Sequence, residues 1–342
     1  MSEQVPRTVT IAAIAEEAGV SIPTVSRVLN GRSDVAPTTR ERVERLLRES
    51  GYRKRGARRE GAGLIDLVFN DLDSPWAVEI IRGVEDAAHA AGIGTVVSAI
   101  HRQAGSTRRW LSNVRARASD GAVLVTTNLD PLLHAELRSL RVPVVVIDPA
   151  GVPDLDVPTI GSNNWAGGVS ATEHLVSLGH RRIGHVAGPP PLWCSRARLD
   201  GYRAELQAAG LPADTDLVVE GDFGFESGFR AGRRLLDLAE PPTAIFAGSD
   251  QMALGVLEAL RRARLSVPED VSVVGFDDLP LVRWSSPPLT TVGQPLVAMG
   301  GLAVHTVLRL VRGERLESRR VELGTTLVVR ESTAPPGLGT RP

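Results

Sequence analysis

The sequence predicts an α/β protein in two parts, an N-terminal helix-turn-helix headpiece and a two-lobed, doubly wound parallel-sheet domain. Three observations predict it. Residues 8–50 carry three short apolar sets at helical spacing, separated by turns. Residues 52–62 hold five basic side chains, one acidic side chain and no apolar period, as a linker does. Residues 63–334 alternate short Val/Ile/Leu-rich runs with helical patterns, which implies buried parallel strands and right-handed crossovers. That stretch is long for one sheet, so two lobes fit better.

In the headpiece, residues 1–51, Ile11, Ile14, Ala15 and Ala18 follow Thr10 at helical spacing. Gly19-Val20-Ser21 breaks the pattern. A second helix runs from about Ser21 to Leu29, with Val25, Val28 and Leu29 on one face, and Asn30-Gly31 stops it. A third begins near Pro37, a favoured first helical position, turns Val43, Leu46 and Leu47 inward and ends at Gly51. Two short helices joined by a Gly-containing turn can set the second in a DNA major groove. A small three-helix bundle without a DNA partner shows the same periodicity.

In the larger part, residues 63–334, strands are expected at 64–69, 94–99, 121–126, 143–147, 182–187, 216–220, 243–247 and 271–276. Lobe 1 is expected to comprise 63–161 and 293–318, and lobe 2 162–290 and 320–332. The Pro-rich stretch 335–342 reads as a disordered tail.

Composition narrows the function. With 42% hydrophobic and 23% charged residues the chain of 342 can bury large cores and is not a disordered polymer. The net charge of −1 hides an asymmetry: residues 1–62 hold 12 Arg/Lys against 8 Asp/Glu, and the rest is acidic. A basic segment on an acidic body suggests a polyanion partner for the N-terminus. Cys194 is the sole cysteine, which excludes an intrachain disulfide and a cysteine zinc cluster. No run approaches the ~18 apolar residues of a membrane span, and Met1 to Thr10 lacks the apolar core of a signal peptide, so a cytoplasmic protein without membrane contact is expected. Gly-x-Ser-x-Gly, the Gly-Lys-Ser phosphate loop and His-Glu-x-x-His are all missing. Neither an enzyme nor a cofactor or metal is expected. The rival reading is a cytoplasmic sugar receptor or enzyme without DNA activity, against which the N-terminal helices and basic linker speak.

Thr10-Ile11-Ala12 through Ala18-Gly19-Val20-Ser21, then Thr24-Val25-Ser26-Arg27-Val28-Leu29-Asn30-Gly31, resembles the headpiece signature of the LacI/GalR family of repressors. Thr39-Arg40-Glu41-Arg42-Val43 and Gly51-Tyr52 continue the match. Ser249-Asp250-Gln251-Met252-Ala253-Leu254-Gly255, Val273-Val274-Gly275-Phe276-Asp277-Asp278 and Pro287-Pro288-Leu289-Thr290-Thr291-Val292 resemble segments of the family's periplasmic-binding-protein-like core. The resemblance covers nearly the whole chain. It implies a sequence-specific DNA-binding repressor whose affinity for a pseudo-palindromic operator is controlled by a small molecule. It also implies that bases are read by Ile22, Pro23 and Arg27. Ile22 and Pro23 offer only apolar contacts, such as thymine methyls, whereas Arg27 can be bidentate to guanine. Thr10, Ser21, Thr24, Ser26 and Asn30 are expected as further hydrogen-bonding DNA contacts, with local helix capping as the alternative for Thr24 and Ser26.

Open parallel sheets bind ligands beyond the carboxyl ends of their strands. Those ends carry Asn70 and Asp71, Asp148, Phe223, Asp250 and Asp277, with Arg198 further along from strand 182–187. Carboxylates accept hydroxyl hydrogen bonds, Arg donates a fork and rings cover apolar sugar faces, so the set suits a sugar. The family's ligand positions fall on Arg198, Phe223, Asp250 and Asp277. Ser74, Trp76 and Trp193 are expected at the mouth. Alternatives stay open: Asp250 as a helix cap, Asp277 as a turn former, Trp76 as core and Cys194 as inert packing.

The family's tetramer-forming C-terminal helix has no counterpart here, which predicts a homodimer. Typical members carry Pro-Asn and then an Ala-rich hinge helix with a Leu that wedges into the minor groove. Residues 52–62 are shorter, contain no Leu and carry Gly56 and Gly61. Tyr52, Arg55, Arg58 and Arg59 are therefore expected to contact DNA as a basic strip, with Arg side chains entering a narrow A·T-rich minor groove. A tether touching only phosphates is the alternative.

Overall fold

The computed structural model describes residues 10–29, 32, 35–50, 62–100, 105–125, 135, 139, 142–149 and 157–337. The chain divides into two compact units, Met1–Gly61 and Ala62–Pro342.

In the first unit, α1 (Ile11–Glu17), α2 (Ile22–Leu29) and α3 (Pro37–Glu49) form a small bundle. Thr10 Oγ1 accepts from Ala13 N at 3.2 Å and starts α1. Gly19, at φ +63°, makes the turn out of it, a conformation that glycine takes without steric cost. Ser21 Oγ accepts from Thr24 N at 3.3 Å and opens α2. Ile14, Ala15, Ala18, Val25, Val28, Val35 and Val43 form the core.

The second unit contains two sheets. The first is built from β1 (Leu64–Phe69), β2 (Gly94–Ala99), β3 (Gly121–Val125), β4 (Val144–Ile147), β5 (Thr159–Ser162) and β11 (Arg320–Leu323). Among the described residues its order is β11-β5-β4-β3-β1-β2, all parallel. The second is built from β6 (Ile183–Ala187), β7 (Val218–Glu220), β8 (Ala244–Ala247), β9 (Ser272–Asp277), β10 (Thr290–Gly293) and β12 (Thr326–Val328). Its order is β12-β10-β9-β8-β6-β7, with β12 alone antiparallel. Central strands such as LIDLVF and AIFA are buried on both faces, which is why they read as unbroken apolar runs.

Helices cover the faces: α4 (Pro75–Ala90) and α5 (Ser106–Arg117) on the first sheet, and α6 (Asn164–Ser177), α7 (Trp193–Ala208), α8 (Phe225–Leu236) and α9 (Asp250–Arg262) on the second. Helix α10 (Leu296–Val311) follows β10 but returns to the first sheet, where Met299, Ala303, Val304 and Val307 pack with Ile80 and Val84 of α4. A Cβ on Gly83 would sit 2.0 Å from Val297 O, so α4 and α10 meet backbone to backbone.

Among the described residues the chain crosses between sheets three times: at 162–164 (β5 to α6), 293–295 (β10 to α10) and 323–326 (β11 to β12). This corrects two expectations. The sequence places residues 320–323 in lobe 2, but β11 pairs in register with β5 of the first sheet. The sequence predicts a disordered tail from 335, but 335–337 lie within the described residues, with Pro336 against Gly179. Ser332 is buried and donates to Val273 O at 2.6 Å, and Ala334 N donates to Ser272 Oγ at 3.0 Å. These bonds anchor the chain on the second sheet just ahead of that stretch.

Candidate functional site

On the headpiece, exposed Ser21 precedes α2, which opens on exposed Ile22 and Pro23 and carries exposed Arg27 in its last turn. Ile22 is 52% exposed although its neighbours Val25 and Val28 are buried. Thr24 and Ser26 are half-buried, and Thr24 Oγ1 shares a 2.9 Å hydrogen bond with Ser21 Oγ. Thr10 caps α1 and Ser21 caps α2, so both hydroxyls already serve backbone N–H groups. Asn30, Tyr52, Arg55, Arg58 and Arg59 lie outside the described residues.

In the second unit, the carboxyl ends of both sheets face a central cavity of about 220 Å³. Of the residues expected at an effector site, Asn70, Ser74, Trp76, Asp148, Arg198, Phe223 and Asp277 line it. Asn70 follows β1, Asp148 follows β4 and Asp277 ends β9. Phe223 lies past β7, and Ser74 and Trp76 open α4. Arg198 is on the second turn of α7.

Arg198 is only 4% exposed. Its Nε donates to Asn164 Oδ1 at 2.8 Å and its Nη1 to Gly248 O at 2.5 Å. The guanidinium lies 3.8 Å from the Phe276 ring centroid and 5.5 Å from that of Phe223. Nη1 also stands 3.9 Å from Asp277 Oδ1, which accepts from Gln294 Nε2 at 2.6 Å. Burial pushes the Asp277 carboxyl up to about 6, and the Arg198 charge and the Gln294 amide hold it back from rising further. Asp148 is also raised by burial, opposed by Arg198 and by the Cys194 thiol that donates to it. The buried Cys194 thiol is itself pushed up by burial, then by Asp148, so it stays neutral and is a poor nucleophile. It lines the cavity as a small apolar group and weak donor.

Three lining residues have left-handed backbones: Asp148 at φ 48°, Phe223 at φ 70° and Asp277 at φ 128°. Such conformations cost free energy in residues with a Cβ and concentrate at functional sites. Ser249 holds one of them. Its Oγ donates to Phe223 O at 3.0 Å while accepting from Met252 N at 3.1 Å to cap α9. Ser74 precedes α4 without capping it; its Oγ instead reaches Gln251 Oε1 on the other lobe at 3.2 Å.

Two expected residues are placed elsewhere. Asp250 is fully buried and not among the cavity's lining residues. Its Oδ2 accepts from Leu279 N at 2.8 Å and its Oδ1 from Thr291 Oγ1 at 2.5 Å, tying α9 to the ends of β9 and β10. It does not cap α9 either, since Ser249 does. Trp193 lines a smaller neighbouring pocket, with Arg196 at 5.5 Å and Arg320 at 5.8 Å from its ring. Sequence reasoning missed Asp73, Asp222 and Gln251, which do line the cavity. The strand-end rule contained the signal for Asp222, which directly precedes Phe223.

Residues 10–54 match the family model "Bacterial regulatory proteins, lacI family" and residues 172–333 match "Periplasmic binding protein-like domain". The chain is 35% identical over 329 residues to the HTH-type transcriptional repressor CytR of Escherichia coli (strain K12), covering 95% of this chain and 96% of that protein. The chain belongs to the lacI family. Among solved structures, the transcriptional regulator CelR–cellobiose complex superposes with a TM-score of 0.74 at 37% identity, over 95% of this chain and 99% of that one. The lac repressor dimer bound to operator and the anti-inducer ONPF superposes with a TM-score of 0.70 at 30% identity, over 96% of this chain and 100% of that one. As a lacI-family member this protein is a DNA-binding transcription regulator, with a helix-turn-helix headpiece and a two-sheet periplasmic-binding-protein-like domain. Among the described residues no helix is long and apolar enough to cross a membrane.

Proposed function

We propose that this regulator is a homodimeric repressor whose grip on a pseudo-palindromic operator is set by a neutral sugar in the central cavity. The observation that carries the reading is the convergence of Asn70, Asp148, Arg198, Phe223 and Asp277 on one cavity. Carboxylates there accept from sugar hydroxyls, Arg198 donates, and Trp76 and Phe223 offer ring faces to C–H surfaces. Among the described residues, Asp71, Asp73, Asp148, Asp222 and Asp277 line it beside one guanidinium, a balance that favours a neutral over an anionic ligand. The solved relative holds cellobiose, so a β-linked disaccharide heads the candidates.

DNA is read by the exposed start of α2. Ile22 keeps its apolar side chain in water until thymine methyls cover it, and Arg27 supplies the bidentate donor for guanine. Basic residues 53–59 add the phosphate and minor-groove contacts. We read it as an intracellular binding protein rather than an enzyme, as the regulators it resembles are, and the neutral Cys194 thiol is not an activated nucleophile.

Calorimetric titration of the full chain with cellobiose and a panel of mono- and disaccharides tests the effector reading. One of them should bind, and Arg198→Ala should abolish that binding while the chain stays folded. A sugar that binds Arg198→Ala as tightly as the unaltered chain would place the site elsewhere.

A further inference from the structure

Two cavity residues are bonded to the hinge itself. Gln294 sits in the second crossing, buried, and is not among the central cavity's lining residues. Its Nε2 donates to the cavity carboxylate Asp277 at 2.6 Å, and its Oε1 accepts from Ser162 Oγ in the first crossing at 2.5 Å. Asn164 Nδ2 donates to Ser162 O at 3.0 Å, and Asn164 Oδ1 accepts from Arg198 Nε at 2.8 Å. With the 3.9 Å approach of Arg198 to Asp277, these bonds close a ring through both ligand-facing side chains. The third crossing is tied to the same ring. Asn163 N donates to Leu323 O at 2.8 Å, and Thr325 Oγ1 donates to Asn163 O at 3.4 Å.

We propose that Gln294 is the positioning residue through which the contents of the cavity set the hinge, holding Asp277 with its amide N–H and the first crossing with its amide oxygen. This rests on the reading of the cavity as the effector site. A hydroxyl arriving at Asp277 or Arg198 meets groups whose other bonds end on the crossings. Any change in their position therefore moves all three crossings together. Buried, fully paired polar networks of this kind favour discrete arrangements over continuous deformation.

The chemistry of the amide is what the ring needs, because the position must accept on one side and donate on the other. Glutamate at 294 still accepts from Ser162 but sets a second carboxylate against Asp277, and two carboxylates at that distance share one proton. Arg198 from α7 and Asp148 from the end of β4 are charged groups that act on Asp277, the Asp250 backbone N–H donates to it, and Asp278, paired with Arg330, follows it. Asp148 holds the shared proton more firmly, and Arg198 and the Asp250 N–H loosen it. The ring therefore forms in Gln294→Glu at low pH and opens at high pH.

Hydrogen–deuterium exchange on the full chain without effector tests this. In Gln294→Leu, amides of the three crossings, at 162–166, 293–296 and 323–326, should exchange about tenfold faster than in the unaltered chain, the loss of roughly one buried hydrogen bond. Gln294→Glu should match the unaltered chain at about pH 5 and resemble Gln294→Leu at about pH 8, each compared at equal pH. Faster exchange confined to 293–296 would overturn the proposal. So would a Gln294→Glu chain that behaves alike at both pH values. Neither readout uses a sugar, so failure of the sugar reading and failure of the ring are separate results.

Discussion

With the effector in the cavity as proposed, Asp277 gives its binding a pH dependence. Its carboxyl is raised to about 6 by burial, against the pull of Arg198 and Gln294. Hydroxyl donors from a sugar pair with the ionised form, so binding lowers this value and affinity must fall as pH drops through about 6. In the free protein the linkage has the opposite sense. A raised carboxylate binds its proton more tightly folded than unfolded, so its contribution is most favourable below the unfolded value of 3.8 and is lost as pH rises towards 6. Asp277→Asn should therefore weaken sugar binding and flatten its pH profile between about 5 and 7, measured by calorimetry in matched buffers. A variant profile as steep as the unaltered one would move the titration to Asp148. Asp250 shows why residue type alone misleads. It stands next to lining Ser249 and Gln251, yet its carboxyl faces the Leu279 N–H and the Thr291 hydroxyl, partners too far along the chain for sequence spacing to reveal.

At the scale of elements, close helix contacts fix where Arg198 lies. A Cβ on Gly168 of α6 would sit 2.4 Å from Arg198 O of α7. Gly168→Ala must push the two helices apart at the residue that crosses into the cavity. It should cost about 1–3 kcal/mol of stability by thermal denaturation, as overpacking does, and weaken sugar binding together with it. Lost stability with unchanged sugar affinity would show that Arg198 adjusts independently. The strands that build both sheets were largely legible, with β1 and β2 read to the residue, because burial on both faces leaves an apolar run. β5, β10, β11 and β12 were not. TIGS, TTVG, RVEL and TLV are three or four residues long and mixed in polarity. Their pairing comes from distant strands: Val321 sits opposite Ile160, and Leu327 opposite Val292. The same distance hid the Gln294 ring. Sequence shows a polar residue after a strand but not that it stands between Ser162 and Asp277.

In the whole molecule a basic N-terminal segment precedes a periplasmic-binding-protein-like body. Residues 52–62 carry five basic side chains and no Leu. If Arg55, Arg58 or Arg59 enters the minor groove at the operator centre, replacing the central A·T pairs with G·C should cost substantial affinity with little change in DNA bending. Equal affinity for both centres would leave these residues on phosphates, and a sharp bend in a circular-permutation assay would point to a wedge instead. The central claim is that cavity and operator are linked, and an effector can shift DNA affinity only by its differential affinity for the two states. The most direct test is an operator titration, on duplex selected from genomic DNA by the full chain, repeated across concentrations of the sugar that binds in calorimetry. The account predicts an operator Kd that moves by about 5–150-fold with sugar in the unaltered chain and stays fixed in Arg198→Ala. An operator Kd independent of a bound sugar in the unaltered chain would contradict it.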